Sequence, residues 1–330
     1  METSYKKAGV DIEAGNKAVQ NIKEMVKDTF SPNVLTSIGG FGGCFQFDFK
    51  EYEEPVLVSS ADGVGTKLIV ANMANRHNTV GQCLINHCTN DILCTGATPL
   101  YFLDYVGTGK LEQDVFHDIV SGLTKACKEN DCSLIGGETA EMPGIYQTKD
   151  YDLVGTITGI VDKKNILADR VKKGDVLIGL KSSGLHTNGY SLARAVLFEK
   201  HDVNDYVEEI GSTIGDALLA IHRSYLRPVK PLLKNPALHA ISHVTGGGII
   251  GNTKRVVPEN FDLKVDWNSW EWLPIFKYIQ KLGNISDEEM GKVFNLGIGL
   301  ILVVEPNSVD EFIESLKNSG EEPTIIGEIA

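Results

Sequence analysis

Two aspartates sit where the apolar pattern of their segments calls for carbon, and this limits how the chain can fold. Residues 78–96 read as a helix. At about 100° per residue Val80, Leu84, His87, Asp91 and Cys94 share one face, with Asp91 near its centre. Residues 101–107 read as a strand whose alternation puts Asp104 on the side of Phe102 and Val106. A carboxylate on a core-facing side is costly unless it is paired, hydrogen-bonded or bound to a cation. Taken singly, each is most simply a salt-bridged core residue, so the fold must bring it a partner.

Three more acids lie near strand ends. A strand over residues 55–60 runs into Asp62-Gly63-Val64-Gly65-Thr66-Lys67. Glu138 and Glu141 fall in a loop predicted over 136–144, after a short strand at 133–135. Loops at strand ends are where α/β proteins place ligands, and hard oxygen donors suit Mg²⁺ bridging nucleotide phosphates. The convergence marks Asp62, Asp91, Glu138 and Glu141 as candidate metal ligands, with Asp104 a fifth inward carboxylate.

The glycine loops narrow the nucleotide reading. Neither Gly65-Thr66-Lys67 nor Gly107-Thr108-Gly109-Lys110 has the spacing and terminal hydroxyl of a GxxxxGK[ST] phosphate loop. Gly246-Gly247-Gly248-Ile249-Ile250-Gly251 does fit GxGxxG, with Asp266 in the acidic position, which keeps a dinucleotide site as an alternative. Against it, residues 240–244 (Ala-Ile-Ser-His-Val) are short and polar for a buried first strand. An anion-binding turn before a helix is the preferred reading. Ser182-Ser183-Gly184-Leu185-His186-Thr187-Asn188-Gly189-Tyr190 has the same character, with Thr187 or Asn188 as a helix cap. His186 alone is most simply a loop histidine bonded to backbone.

The rest of the pattern alternates strands and helices. Helices are predicted over 11–29 (stripe Ala18, Ile22, Met25, Val26), 112–130, 273–282 and 308–318, and strands over 152–162, 175–180, 262–267, 298–304 and 324–328. At 330 residues two domains are expected. The polar, basic stretch 163–173 divides them, giving an N-terminal domain 1–165, a linker 166–173 and a C-terminal domain 174–330. Thirty-one Lys and Arg against 44 Asp and Glu give a net charge of −13, which excludes a nonspecific nucleic-acid binder. No apolar run reaches the roughly 20 residues of a membrane span, and the N-terminus lacks a hydrophobic signal core. The six cysteines form no CxxC pair and read as reduced thiols of a cytoplasmic protein.

Together the motifs resemble the phosphoribosylformylglycinamidine cyclo-ligase (aminoimidazole ribonucleotide synthetase) family. They are Ser4-Tyr5 with Ala8-Gly9-Val10-Asp11-Ile12, Asp62 to Leu68, Asn90-Asp91-Ile92-Leu93, Pro99 to Leu111, and the 136–144 loop. The second half adds Ser182 to Leu192, Thr245-Gly246-Gly247-Gly248 and Phe294 to Gly299. The likeness spans about residues 4–329. It implies a mixed α/β (α+β) protein of two domains. The N-terminal half would contribute strands to an intersubunit barrel in a homodimer, and the C-terminal half would be a sandwich-like α+β domain. It implies ATP-dependent ring closure of formylglycinamidine ribonucleotide through an imidate phosphate.

By the same resemblance, Asp62 and Asp91 with Glu138 and Glu141 would handle Mg²⁺-ATP. Gly63, Val64, Gly65, Thr66 and Lys67 would line the triphosphate, with Asn90 and Lys23 also on the nucleotide side. Ser183, Gly184, His186, Thr187, Asn188, Thr245, Gly246 and Gly247 would hold the substrate. His186, Asp91 and Lys67 are the catalytic candidates. The chain departs from the family pattern at Ala61, at Asn86-His87-Cys88-Thr89 and at Gly251. The alternatives are another ATP-using enzyme of this fold, of thiamine-phosphate kinase, selenophosphate synthetase or hydrogenase-maturation type, or a catalytically silent binding protein.

Overall fold

A computed structural model describes residues 9–167 and 169–330. Ser4, Tyr5 and Ala8 of the N-terminal motif, and Ala168 of the linker, lie outside them. The first half runs α1 (Ile12–Lys27), β1 (Pro55–Gly63), α2 (Lys67–Ala74), α3 (Val80–Leu93), β2 (Thr98–Thr108), α4 (Gln113–Glu129), β3 (Ser133–Glu141) and β4 (Tyr151–Asp162). The second half runs β5 (Val176–Lys181), α5 (Tyr190–Leu197), β6 (Tyr206–Val207), β7 (Ser212–Thr213), α6 (Ile214–Leu218), α7 (Leu226–Val229) and β8 (Leu238–His243). It continues with α8 (Gly248–Thr253), β9 (Leu263–Val265), α9 (Pro274–Gly283), α10 (Asp287–Val293), β10 (Ile298–Val304), α11 (Val309–Asn318) and β11 (Thr324–Ile329).

The first sheet has the order β1-β4-β2-β3, antiparallel except for the β2–β3 pair. Alternation puts Phe102, Val106, Leu153 and Ile157 on its inner face, all buried under α3 and α4. The two helices cross closely enough that a Cβ on Gly81 would lie 2.3 Å from the Ile119 carbonyl oxygen. α1 closes the layer: Asp11 caps it by accepting from Ala14 N–H, and Ala18, Ile22 and Val26 are buried. The second sheet is antiparallel throughout, in the order β8-β10-β5-β11-β9, with β10 and β8 buried along their whole length.

Several elements differ from the sequence reading. The glycine-rich stretch expected as a loop from residue 136 is strand to Glu141, because β2 continues alongside it to Thr108 and supplies a ladder partner for each residue from Leu103. For the same reason Asp62 is not in a loop. β1 stays paired with β4 through Gly63, with Asp62 opposite Gly155. The polar-looking 240–244 segment belongs to a buried strand whose polar groups are paired: His239 Nδ1 with Asp175 at 2.6 Å and Ser242 with Thr253 at 3.3 Å. β8 pairs antiparallel with β10, so the GxGxxG turn is not part of the parallel βαβ unit that a dinucleotide site requires. Helices α2, α6, α7 and α10 carried too short an apolar pattern to be anticipated.

Candidate active site

Helix α3 is the spine between the two halves. Cys83, Asn86, His87, Asn90 and Asp91 recur at helical spacing and all meet second-half residues. Asn86 donates to the His222 carbonyl at 2.7 Å, and Asn90 donates to the Arg223 carbonyl at 2.8 Å while accepting from Tyr225 N–H at 3.0 Å. Asn90 is fully buried in this latch. In this structure it joins the two halves.

Asp91 is the partner-seeking aspartate of the sequence pattern, and the fold supplies its partners. Its Oδ1 lies 2.8 Å from His243 Nδ1 at the end of β8, and its Oδ2 accepts from Ser60 Oγ at 3.2 Å. Asp62 Oδ2 lies 3.1 Å from His87 Nε2, which is also 3.9 Å from Asp91 Oδ2. Asp62 and Asp91 thus share one imidazole. They line a cavity of about 470 Å³ with His87, His243, Thr245 and Arg255. Burial works to raise the pKa of both aspartates. For Asp62 the His87 contacts, and for Asp91 the His243 and His87 contacts, outweigh it and hold both below the usual carboxylate range. His243 itself is pushed down by burial despite Asp91, so it is neutral at pH 7 and donates its Nδ1–H to the ionised carboxylate.

The imidazoles continue inward. His243 Nε2 is 3.0 Å from His222 Nε2, and Thr187 Oγ1 is 2.7 Å from His87 Nδ1 and 3.3 Å from His222 Nδ1. His186, expected to face substrate, is 1% exposed and stacks on His222 at 4.0 Å. Its Nε2 accepts from Ser183 N–H at 3.2 Å and its Nδ1 has no partner. In this structure it supports the 183–188 loop and does not reach the cavity. Burial drives the pKa of His186 and His222 well below the ordinary value, so both are neutral.

Lys67 lies in the interior. It has no exposed surface, and its Nζ donates to the carbonyls of Ala220 (2.6 Å) and His186 (2.8 Å) and to Cys83 Sγ (3.2 Å). The ammonium faces these groups and not the cavity of Asp62 and Asp91, and Val64 is equally enclosed. Gly63 and Thr66 are partly exposed and Gly65 exposed, in a turn that passes under the Thr187 carbonyl.

The two expected substrate loops do meet: a Cβ on Gly246 would lie 3.1 Å from Asn188 Oδ1. Asn252 shapes the glycine turn, accepting from Thr245 N–H (3.0 Å) and Gly247 N–H (3.1 Å). Gly246, Gly247 and Ser183 are exposed, whereas Gly184 and Thr187 are buried beneath them. The sequence reading missed His222, His243, Asn252 and Arg255 as site residues. The only signal for His243 was its place just before the glycine turn.

Glu138 and Glu141 do not join Asp62 and Asp91. They line a separate cavity of about 410 Å³ with Asp104, the start of α1 and Gly39, Gly40 and Gly42. Each Glu141 oxygen accepts one backbone bond, from Asp11 N–H (2.8 Å) and Leu111 N–H (2.7 Å), so the carboxylate anchors the start of α1 to the 109–111 turn. Asp104 has room because Gly137 stands opposite it; a Cβ there would fall 2.3 Å from Asp104 Oδ1. Burial raises the Asp104 pKa to about 7. A Cβ on Gly39 would lie 3.9 Å from Lys23 Nζ, so Lys23 stands over the 39–43 loop at this second cavity.

This pair of sheets, with carboxylates and imidazoles gathered on the helix between them, is that of the AIR synthase-related proteins. Residues 47–161 match the family described as AIR synthase related protein, N-terminal domain, and residues 172–330 match its C-terminal domain. The chain is 47% identical over 332 residues to the phosphoribosylformylglycinamidine cyclo-ligase of Alkaliphilus oremlandii, covering 100% of this chain and 97% of that one. It is 48% identical over 330 residues to that of Syntrophotalea carbinolica, covering 99% and 94%. The chain belongs to the phosphoribosylformylglycinamidine cyclo-ligase family.

Among solved structures it resembles a thiamine-monophosphate kinase from Stenotrophomonas maltophilia, with TM-score 0.70 and 18% identity over 94% of this chain and 93% of that one. It also resembles the hydrogenase maturation protein HypE in complex with ATP, with TM-score 0.66 and 14% identity over 96% and 86%. These two share the fold.

Proposed function

We propose that the chain closes the imidazole ring of formylglycinamidine ribonucleotide, using ATP and releasing aminoimidazole ribonucleotide, ADP and phosphate. The observation that carries this is the full-length identity to cyclo-ligases joined to the Asp62–His87–Asp91–His243 constellation beside the 245–247 turn. The formyl amide oxygen attacks the γ-phosphorus, and ADP leaves. The neighbouring amidine nitrogen, held close by the bound ribonucleotide, then attacks the activated carbon, displaces phosphate and gives up a proton.

Two hard carboxylates around one point suit Mg²⁺, and when bound the ion neutralises phosphate charge. Asp62 and Asp91 hold it in this reading. Gly246, Gly247, Thr245 and Asn188 receive the ribonucleotide, with Arg255 at the rim as a counter-charge for its phosphate. Gly63, Gly65 and Thr66 lie on the nucleotide path, with Lys23 and Glu138 at the second cavity. His243 is a neutral imidazole that holds the Asp91 carboxylate in place through its Nδ1–H. His186 and Lys67 act by position, fixing the 183–188 loop.

The reading includes a homodimer. Its support is the outer face of the first sheet, where Leu57 is 53% and Leu103 is 38% exposed although both lie within strands. The cytoplasm is the compartment that fits a metabolic enzyme with free cysteines. No helix of the described residues is long and apolar enough to cross a membrane.

A coupled assay for ADP tests the function. ADP release should depend on formylglycinamidine ribonucleotide. Release that is independent of it, or that thiamine monophosphate elicits instead, would overturn the proposal.

A further inference from the structure

The structure holds more nitrogen around the two aspartates than a magnesium site uses. The candidate ligand atoms of His87, Asp91 and His243 all lie within 4.8 Å of one another, and Asp62 Oδ2 is 3.1 Å from His87 Nε2. His87 and Asp91 are one helical turn apart on α3, while Asp62 ends β1 and His243 ends β8. Two elements, α3 and β8, therefore aim two imidazoles and the Asp91 carboxylate at one spot, with Asp62 beside His87. The His87 and His243 rings are nearly perpendicular, at 89°, so their in-plane lone pairs can converge.

We infer that His87, Asp91 and His243, with Asp62 beside His87, form a mixed nitrogen–oxygen centre that binds a first-row transition dication, Zn²⁺ in the first instance, more tightly than Mg²⁺. Imidazole is a borderline ligand that favours such ions, whereas Mg²⁺ keeps to oxygen donors and water. Two imidazoles and one carboxylate supply three of the four tetrahedral positions Zn²⁺ prefers, leaving the fourth for water.

The surroundings carry the argument further than the ligands alone. A metal-bound histidine normally donates its other ring N–H to a fixed acceptor. Both histidines have one here, and both acceptors are buried. His87 Nδ1 faces Thr187 Oγ1 at 2.7 Å, and His243 Nε2 faces His222 Nε2 at 3.0 Å. Asn90 Nδ2 also faces His222 Nε2, at 3.2 Å, which fixes that nitrogen as an acceptor and puts the His222 N–H on Nδ1, 3.3 Å from Thr187 Oγ1. The other histidine group, His186, His222 and His243, is a poorer candidate. His186 and His222 stack with 19° between their planes, so their lone pairs run side by side and do not meet.

The inference deepens the metal part of the proposed function and rests on it for Asp62 and Asp91. Its test is metal binding by the full chain after chelator treatment, using Zn²⁺ alone, Mg²⁺ alone and Co²⁺ as an absorbing probe. Wild type should bind one Zn²⁺ per chain at least 100-fold more tightly than Mg²⁺, and Co²⁺ should give the intense visible bands of a four-coordinate site. His87→Gln should weaken Zn²⁺ at least tenfold, read by direct metal binding to the full chain. Thr187→Val should weaken Zn²⁺ in the same direction with no ligand removed. His201→Ala, on a histidine that pairs with Tyr278 away from the site, should leave the stoichiometry at one.

Equal affinity for Zn²⁺ and Mg²⁺, or Zn²⁺ binding unchanged in His87→Gln, overturns the inference and leaves the ATP reading standing. Asp91→Asn separates the two: it should abolish both Zn²⁺ binding and Mg²⁺-ATP turnover, and loss of the first alone would remove Asp91 from the ATP reading.

Discussion

Replacing Lys67 with Met tests whether this lysine is an interdomain clamp or a phosphate ligand. Met retains most of the side-chain length and packs adaptably, so the change removes mainly the ammonium. Three contacts disappear, and they are not equal. The His186 carbonyl keeps a donor in Tyr190 Oη at 3.1 Å, and Cys83 Sγ keeps the His222 N–H at 3.3 Å. The Ala220 carbonyl loses the 2.6 Å bond from Lys67. A buried acceptor stripped of a charged donor costs about 1–3 kcal/mol, and relief from burying the ammonium offsets part of it. The expected net loss is about 1–2 kcal/mol, a fall in Tm of roughly 1.5–3 °C.

The assay is thermal unfolding by circular dichroism across pH, alongside ATP affinity. Burial lowers the Lys67 pKa, so between that lowered value and the ordinary 10.5 the unfolded chain binds more protons than the folded one. Wild-type stability should therefore rise with pH relative to the variant in that window. Affinity for ATP should change less than about threefold. A variant as stable as wild type, with ATP affinity lost instead, would refute the clamp and restore Lys67 to the nucleotide.

Two further perturbations probe how the carboxylates are housed. Asp104, raised to about 7 by burial, favours the fold while protonated; that contribution is complete below the unfolded value of 3.8 and lost as pH rises through 7. Asp104→Asn should gain about 1–2 kcal/mol at pH 8.5, after discounting for cavity solvent, and almost nothing at pH 4, measured by urea unfolding. Gly155, opposite Asp62, leaves room for Phe102, whose Cζ would lie 1.9 Å from a Cβ there. Gly155→Ala should cost about 2–3 kcal/mol in the same assay, and Phe102→Leu in that background should recover part of it.

Periodicity alone exposed Asp91 and Asp104, because a charged residue in an apolar stripe needs a partner wherever the chain goes. It could not say which partner. His243 reaches Asp91 across 152 positions, and His87 meets Thr187 across 100. Those pairings exist only once β8 and the 183–188 loop dock on α3. The burial of Lys67 was not legible for a physical reason: a lysine after a glycine turn has the local look of a phosphate binder, and its burial is decided by the distant Ala220 and His186 carbonyls. The 136–141 segment misled likewise, since glycines weaken local strand preference but a parallel neighbour can still pair them. Glu141 was legible as a carboxylate near ligands and illegible as the anchor of Asp11 and Leu111.

The most direct measurement is steady-state turnover of Asp91→Asn with formylglycinamidine ribonucleotide and Mg²⁺-ATP, together with its folding by circular dichroism. Asn keeps the shape and can still accept from His243, but it removes the charge that the cation needs. The account predicts a folded protein whose kcat falls at least a hundredfold. A folded variant that turns over at the wild-type rate would contradict it.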